Sequence, residues 1–241
     1  MTSPAAIPAI TDFHCHVLPK ADHGSDGIAT SLRQLQLLRR AGVERLVATP
    51  HFYPDKTTID RFLAKREHCF RELAEVLPEG NYPAIHIGAE VLLVEGLHEM
   101  DGLETLCVSG TNVLLLELPM RKLNTRLTDT VAELCDNPRL RIVLAHIERY
   151  PFKEVETLLD LPLSAQVNAG AFTSLFGSKR YKTLLDEGKL VALGSDLHGA
   201  DEAGVARFRK ACGKLGQERL RTLMEATDRL LTASLPAYIP A

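Results

Sequence analysis

TDFHCHVLP, residues 11–19, places two histidines one residue apart at the end of a short apolar run. In an extended strand, side chains alternate between the two faces. Asp12, His14 and His16 are therefore predicted to share one face, and Phe13 and Cys15 the other. Two imidazoles that converge on one point can bind a metal ion, which raises the question of where the remaining ligands lie.

Seven short apolar runs are predicted to be strands: AITDFHC, ERLVATP, AIHIGAEV, NVLLLELP, RIVLAHI, SAQVNAG and LVALGSD. Helical patterns separate them, over about residues 30–41 (closed by Gly42), 58–77, 125–135, 152–160, 174–187 and 201–232. Strands that alternate with helices predict a parallel sheet, and seven such units are enough to close a barrel. The sequence has no repeat or linker, so one domain over residues 1–241 is expected.

The composition is that of an ordinary globular protein, with 45% apolar and 24% charged residues among 241. A net charge of −3 provides no electrostatic footprint for nucleic acid or an anionic membrane. The start MTSPAAIPAI lacks the pattern of a signal peptide, and no apolar run is long enough to span a bilayer, so a cytoplasmic protein is expected. Five scattered cysteines without CxxC spacing predict reduced thiols.

Candidate metal ligands follow one strand after another. In α/β barrels the loops after the strands form the active-site face, so residues far apart in sequence meet there. Each candidate alone fits a structural role, but recurrence at five or more strand ends favours a centre with several metal ions, because His and carboxylates bind Zn, Mn and Fe. The candidates are His14, His16, His51, Glu90, Glu117, His146, Asp196 and His198, joined by His23 in the glycine-rich loop KADHGSDG.

The other three histidines are expected to have structural or surface roles and not to bind metal. His68 lies in a predicted helix and His98 in a polar loop, so both are expected to be structural or at the surface. His86 shares a strand face with Glu90, which leaves a position in the site wall open, although packing is the simpler interpretation.

With these residues in place, the chain resembles the polymerase-and-histidinol-phosphatase (PHP) superfamily, and within it the CpsB-type metal-dependent protein-tyrosine phosphatases of capsule and exopolysaccharide biosynthesis. The resemblance implies a distorted seven-stranded (β/α)7 barrel of the PHP type that carries three divalent metal ions, with Mn favoured and Fe or Zn compatible. The motifs that carry it occur in order: DFHCHVLP, ATPHFYP, GAEV, LLLELP, LAHIERYP, QVNAG and GSDLHG.

The same resemblance implies a role for each ligand. The first metal would bind His14, His16, Glu90 and Asp196; Glu90 would bridge to a second metal, completed by Glu117 and His146; and His23, His51 and His198 would bind a third. The family usually reads DDG where this chain has Asp22, His23 and Gly24, so His23 replaces a carboxylate. Ile147 replaces a proline, and Arg149, expected to bind phosphate, is retained.

The chemistry accounts for these residue types. A phosphate monoester repels an anionic nucleophile, so metal ions are expected to neutralise the phosphoryl oxygens and to hold the attacking hydroxide between them. The planar guanidinium of Arg149 suits a phosphate oxygen. Asp12 is a candidate for orienting an imidazole, although a plain polar residue at the start of a strand fits nearly as well.

The resemblance also implies a partner: a phosphotyrosine protein, the tail of a bacterial tyrosine kinase that controls polysaccharide export. The oligomeric state and the physiological substrate stay open. Three other functions compete: a histidinol-phosphate phosphatase of the same superfamily, an amidohydrolase-type hydrolase and a metal-stabilised scaffold. CDNPRLR also has the C-x5-R spacing of cysteine-dependent phosphatases, at Cys135 and Arg141, but its predicted order is helix then strand, the reverse of their phosphate loop.

Overall fold

The computed structural model describes residues 9–78, 80, 82–174 and 178–232, and every strand pairing within these ranges is parallel. The strands are β1 (Thr11–His16), β2 (Arg45–Ala48), β3 (His51–Phe52), β4 (Ala84–Ile87), β5 (Glu90–Leu92), β6 (Val113–Glu117), β7 (Arg141–Leu144), β8 (Ser164–Asn168), β9 (Leu190–Gly194) and β10 (Leu197–His198). The helices are α1 (Ile28–Arg40), α2 (Ile59–Ala74), α3 (Thr125–Asp136), α4 (Phe152–Leu158), α5 (Gly170–Thr173), α6 (Ser178–Asp186) and α7 (Glu202–Thr232), which is interrupted by a kink at Gly216.

The predicted helices are confirmed within a few residues at each end, where the two can be compared. Gly42 follows α1 with a φ of 95°, the left-handed conformation that commonly ends a helix. Asn124 caps α3 by accepting a hydrogen bond from the Leu127 N–H at 2.9 Å. The fifth predicted helix is observed as α6 from Ser178 onward; residues 175–177 of that prediction lie outside the described residues.

The α/β fold with parallel strands is confirmed, but the expected closed barrel is not. The strands are hydrogen-bonded in two sheets, in the orders β10-β1-β2-β4 and β3-β5-β6-β7-β8-β9. The predicted strand AIHIGAEV is divided into β4 and β5, and two short strands that were not predicted, β3 and β10, directly follow the runs ERLVATP and LVALGSD. Between β2 and β3 stands Pro50, which has no N–H for a ladder, and its carbonyl accepts from Glu90, the first residue of β5. The same stretch of chain therefore passes from one sheet into the other.

The edge strand β9 of the six-stranded sheet approaches β1 of the four-stranded sheet, and no ladder is found between them among the described residues. The Asp196 N–H donates to the His14 carbonyl at 2.8 Å. The neighbouring Ser195 N–H donates instead to the Asp12 carboxylate, also at 2.8 Å. At this junction one backbone N–H therefore bonds to a side chain and not to a backbone carbonyl. The hydrogen bonds here do not make β9 and β1 neighbours in one sheet.

Side-chain alternation along β1 is interrupted. The pairing of β1 with β2 shifts register between Asp12 and Cys15. Phe13 consequently packs in a buried apolar cluster with Val47 and Val191, whereas Cys15 packs in the other cluster, on the side of α1. The prediction that Phe13 and Cys15 share a face is therefore wrong, but His14 and His16 do lie together, with their Nε2 atoms 3.2 Å apart.

The core explains why the strands read as continuous apolar runs. All residues of β1, β6 and β9 are buried, as expected for parallel strands covered on both faces. Among the described residues, no helix is both long and apolar enough to cross a membrane.

Candidate metal centre

Four predicted ligands from three separate strand regions meet at the carboxyl ends of the strands. The Nε2 atoms of His14 and His16 lie 3.2 Å apart. Glu90 Oε2 lies 3.1 Å from His14 Nε2 and 3.2 Å from His16 Nε2. Asp196 Oδ1 lies 3.6 Å and 3.3 Å from the same two nitrogens. We call His14, His16, Glu90 and Asp196 the inner cluster.

These separations fit a bound metal ion. Four ligands on bonds of about 2.0–2.1 Å in a tetrahedron stand roughly 3.3 Å from one another. The five measured distances, 3.1–3.6 Å, lie around that value. Two imidazole nitrogens facing each other at 3.2 Å make a poor hydrogen bond but a good ligand pair. The donor set of the inner cluster is therefore suited to a divalent cation.

Glu90 also reaches a second group of ligands through its other oxygen. Its Oε1 lies 2.7 Å from His146 Nε2, and Glu117 Oε1 lies 3.7 Å from that same nitrogen. His51 Nδ1 stands 3.0 Å from Glu90 Oε2 and 3.7 Å from Glu117 Oε2. A carboxylate with one oxygen on each side can bridge two ions, as the family resemblance implies for Glu90.

The remaining three histidines form an outer cluster, His23, His51 and His198, but their rings do not all converge. His51 and His198 approach through their Nε2 atoms at 3.4 Å. His23 stacks flat on His51, with 4.8 Å between ring centroids and 9° between planes. Within the described part of the chain, groups of three ligand atoms include His16 with His51 and His198, and none includes His23.

Buried polar side chains that sequence analysis missed hold the inner rings. Asp22 Oδ2 accepts from His16 Nδ1 at 2.6 Å and from the His51 N–H at 3.0 Å. Gln166 Oε1 accepts from His14 Nδ1 at 3.3 Å. Such partners fix the ring so that Nε2 is presented to the metal. The adjacent acid in ADHG and the glutamine of QVNAG were the available signals.

Asp12 does not contact an imidazole. Its Oδ1 accepts from the backbone N–H groups of Ser195, at 2.8 Å, and His14, at 3.4 Å. Burial raises the pKa of Asp12 to about 6, an effect that the hydrogen bonds from Ser195 and His14 only partly oppose. Its contacts tie β1 to the segment after β9, and the role of orienting a ring falls to Asp22.

Arg149 reaches the inner cluster from the solvent side. Its guanidinium hydrogen-bonds Asp196 Oδ2, and Asn168 Nδ2 donates to the same oxygen at 2.9 Å. Asp196 thereby keeps Oδ1 facing the histidines. The Arg149 side chain is 42% exposed, so the guanidinium stands between the cluster and solvent.

The backbone bends sharply at two of the ligands. His146 has a φ of 30° and Asp196 a φ of 53°, a region that residues other than glycine rarely occupy. Gly194 permits a close approach: a Cβ there would stand 2.6 Å from His14 Cβ and 2.5 Å from Gln166 Nε2.

Burial disfavours the charged forms of Glu90 and Asp196, but the charge of His14 and hydrogen bonds from the rings outweigh it and lower the pKa of both carboxyl groups. Burial alone would lower the pKa of His16. Its hydrogen bonds to Asp196, Asp22 and Glu90 outweigh this effect and raise the pKa well above its ordinary value. Burial and the charge of Glu90 raise the pKa of Glu117 to about 7. Burial and the charge of His16 lower the pKa of His198 to about 4, which leaves that ring neutral and able to bind a metal at pH 7.

Comparison with known proteins identifies the family of this chain. A sequence model described as capsular polysaccharide synthesis, CpsB/CapC, matches residues 10–225. The chain belongs to the CpsB/CapC family. The tyrosine-protein phosphatase CpsB of Streptococcus pneumoniae is 27% identical, over 79% of this chain and 83% of CpsB. The tyrosine-protein phosphatase YwqE of Bacillus subtilis (strain 168) is 24% identical, over 78% of this chain and 76% of YwqE.

The fold agrees with this family. A crystal structure from the pair YwqE and CpsB, described as unique metal-dependent tyrosine phosphatases, superposes with a TM-score of 0.74 at 19% identity. The match covers 93% of this chain and 95% of the solved one. At that identity the superposition establishes the shared CpsB/CapC fold, whereas the family itself rests on the sequence match.

The C-x5-R motif does not form a phosphate loop in this CpsB/CapC chain. Cys135 lies in α3 and Arg141 begins β7, so the order is helix then strand, as predicted. Burial raises the pKa of Cys135 to about 11, which leaves a thiol and not a reactive thiolate.

His68, His86 and His98 lie outside the four groups of converging ligand atoms found among the described residues. His68 is on α2 with its side chain 65% exposed, and His98 is in the short 3-10 helix Leu97–Glu99. Both positions suit the surface or structural roles expected of them.

Proposed function

We propose that this protein is a metal-dependent phosphomonoester hydrolase that removes phosphate from phosphotyrosine in proteins. The single observation that carries the proposal is the inner cluster, with five separations between its ligand atoms of 3.1–3.6 Å and with Arg149 on the solvent side of Asp196. Membership of the CpsB/CapC family and similarity to the two tyrosine-protein phosphatases favour this substrate over histidinol phosphate.

Divalent ions bound by the clusters would supply Lewis acidity and a water nucleophile activated near neutral pH. The protein's own residues do the rest. Asp22 and Gln166 hold the rings of His16 and His14 in place. Arg149 contributes charge-assisted hydrogen bonds to the phosphoryl oxygens, which carry more charge in the transition state. Tyrosinate, with an ordinary pKa of about 10, leaves without strong general-acid assistance.

We assign the ligands as the family pattern implies, with three ions and Mn as the active metal. His14, His16, Glu90 and Asp196 would bind the first ion, and Glu90 would bridge to a second at Glu117 and His146. His51 and His198 would bind the third, with His23 as a weak additional ligand because its ring stacks on His51. The His and carboxylate set suits Mn, Fe or Zn.

We further propose that the two sheets act as one distorted (β/α)7 barrel of the PHP type and that residues 1–241 form one domain. The hydrogen bond from the Asp196 N–H to the His14 carbonyl supports this, because it joins the segment after β9 to β1. A reducing, cytoplasmic location agrees with the five free cysteines. The substrate proposed is the phosphorylated tail of a bacterial tyrosine kinase.

The test is hydrolysis of a phosphotyrosine peptide by the purified protein. Activity should disappear with a chelator and return with Mn, and Cys135→Ser should retain it because α3 and β7 do not form a phosphate loop. Histidinol phosphate is the competing substrate. Efficient turnover of histidinol phosphate with no turnover of the peptide would replace the proposed function, and loss of turnover in folded Cys135→Ser would replace the metal mechanism.

A further inference from the structure

A groove of about 280 Å³ opens beside the inner cluster. It lies between the segment 118–123, which follows β6, and the segment 149–154, which follows β7. Arg149 belongs to both places, since it lines the groove and hydrogen-bonds Asp196. Ligand pockets are typically about 300–1,000 Å³, so this groove suits one side chain and its immediate neighbours.

One wall of the groove is apolar and well supported. Met120 is 76% exposed, although it is a large apolar side chain. Tyr150 is held by two hydrogen bonds at its hydroxyl, one from the Leu118 N–H at 3.1 Å and one with His146 Nδ1 at 3.2 Å. A thioether and a fixed ring are favourable neighbours for an aromatic group. A phosphotyrosine whose phosphate meets Arg149 would place its ring along this wall.

The rim of the groove is positively charged, although the whole chain carries −3. Arg121 and Lys122 are exposed and line it together with Arg149. The carboxylate in the wall, Glu154, accepts a hydrogen bond from the backbone of the same loop. Arg121 also lies close enough to Glu95 to lower its pKa, but Glu95 is already hydrogen-bonded to the 124–126 segment. The rim therefore retains positive charge available to an acidic partner.

We propose that this groove selects the substrate: it binds the phosphotyrosine ring on its apolar wall, and Arg121 and Lys122 recognise acidic residues next to the phosphotyrosine. The inference rests on the proposed function and narrows its substrate class to acidic phosphotyrosine segments. Arg121 and Lys122 are specificity residues, since they stand on the rim and contact none of the metal ligands.

The test compares two phosphotyrosine peptides of equal length, one with aspartates on both sides of the phosphotyrosine and one with serines. The metal-loaded wild type should prefer the acidic peptide in kcat/KM by roughly three- to tenfold at low salt, the range expected for two exposed ion pairs, and by less at high salt. In Arg121→Glu/Lys122→Glu the preference should reverse.

A control variant carries the same change of charge elsewhere. Lys210 and Lys214 are exposed on α7, which contributes no residue to the groove. Lys210→Glu/Lys214→Glu should keep the acidic preference, because the charge added is remote from the rim. Affinities for matching peptides that carry a non-hydrolysable phosphonate in place of the phosphate should follow the same order, and this readout does not depend on turnover.

The outcomes separate the two proposals. If the wild type hydrolyses both peptides equally, or if the rim variant keeps the acidic preference, the groove inference is overturned while the phosphatase function stands. A reversal in the α7 control as large as in the rim variant overturns it too, because net charge alone would then account for the effect. If the wild type hydrolyses neither peptide, the proposed function itself fails.

Discussion

The inner and outer histidine clusters lie side by side but are held in different ways. His14 and His16 are almost completely buried, and their Nδ1 atoms bond to Gln166 and Asp22. In the outer cluster, His23 is exposed and rests on a neighbouring ring by stacking. A buried, hydrogen-bonded ligand needs little rearrangement to bind a metal, whereas an exposed one must be ordered first. The inner cluster should therefore bind its metal more tightly than the outer one.

Removal of Glu90, the carboxylate proposed to bridge two ions, should have the largest effect. Glu90 has oxygens facing His14, His16 and His146, so Glu90→Ala should lower kcat/KM by more than about 1,000-fold, or ~4 kcal/mol. Elemental analysis should show fewer bound metal ions than in wild type. If Glu90→Ala retained every metal ion, the expectation that the inner cluster binds its metal more tightly than the outer cluster would be contradicted.

Arg149 should separate catalysis from metal binding. A bidentate contact to the phosphoryl group contributes on the order of 2–4 kcal/mol, so Arg149→Ala should lose roughly 30- to 1,000-fold in rate. Its metal content should persist, because Asn168 still bonds Asp196. Lys should restore only part of the activity, since it lacks the planar fork. If metal-replete Arg149→Ala turned over substrate as fast as wild type, Arg149 would have no role in catalysis beyond its ion pair with Asp196.

Substitution of Asp22, which hydrogen-bonds the His16 ring, tests whether such contacts keep the inner cluster ordered. Asp22→Asn should weaken binding of the tightest metal by about 10- to 100-fold, because Asp22 orients His16. Asp12→Asn is the matched control: its acceptor oxygen toward Ser195 is retained, and it touches no ring. Metal titration should give less than about a threefold change for this control. Equal losses in the two variants would point to a general effect of buried charge.

The smallest effect is expected in the outer cluster. His23→Ala should change the affinity of the tightest metal by less than about threefold, because the ring stacks on His51 and joins no group of converging ligand atoms among the described residues. His23→Asp should instead tighten the weakest metal, since a carboxylate adds charge at that place. A loss of tight metal in His23→Ala would show that the two clusters are equally ordered.

The sequence predicted which candidate ligands lie together better than it predicted the sheets that carry them. His14, His16, Glu90 and Asp196 could be found because each follows an apolar run, and parallel strands bring such positions to one edge. The division into two sheets depends on local backbone features: the missing N–H of Pro50 and the register shift between Asp12 and Cys15. The pattern of apolar residues does not reveal how such features change strand pairing.

The supporting residues were harder to predict for a different reason. Asp22 and Gln166 have ordinary neighbours in sequence, and their importance appears only when loops from distant strands meet. Asp12 shows the converse error, since strict alternation placed it with the imidazoles but the register shift turned it toward Ser195. The left-handed backbone at His146 and Asp196 was not predicted either: Asp and His adopt it more often than most residues, but the preference is too weak to identify individual positions.

The tight approach at Gly194 limits how this protein can change. Even one methyl group there would displace His14 or the glutamine behind it, although position 194 binds nothing itself. A ligand can be exchanged for another type of ligand, but no other residue leaves as much space at position 194 as glycine does. The centre thus tolerates little change at a residue that contributes no chemistry, and a designer who transfers these side chains to another α/β protein must keep the same space free.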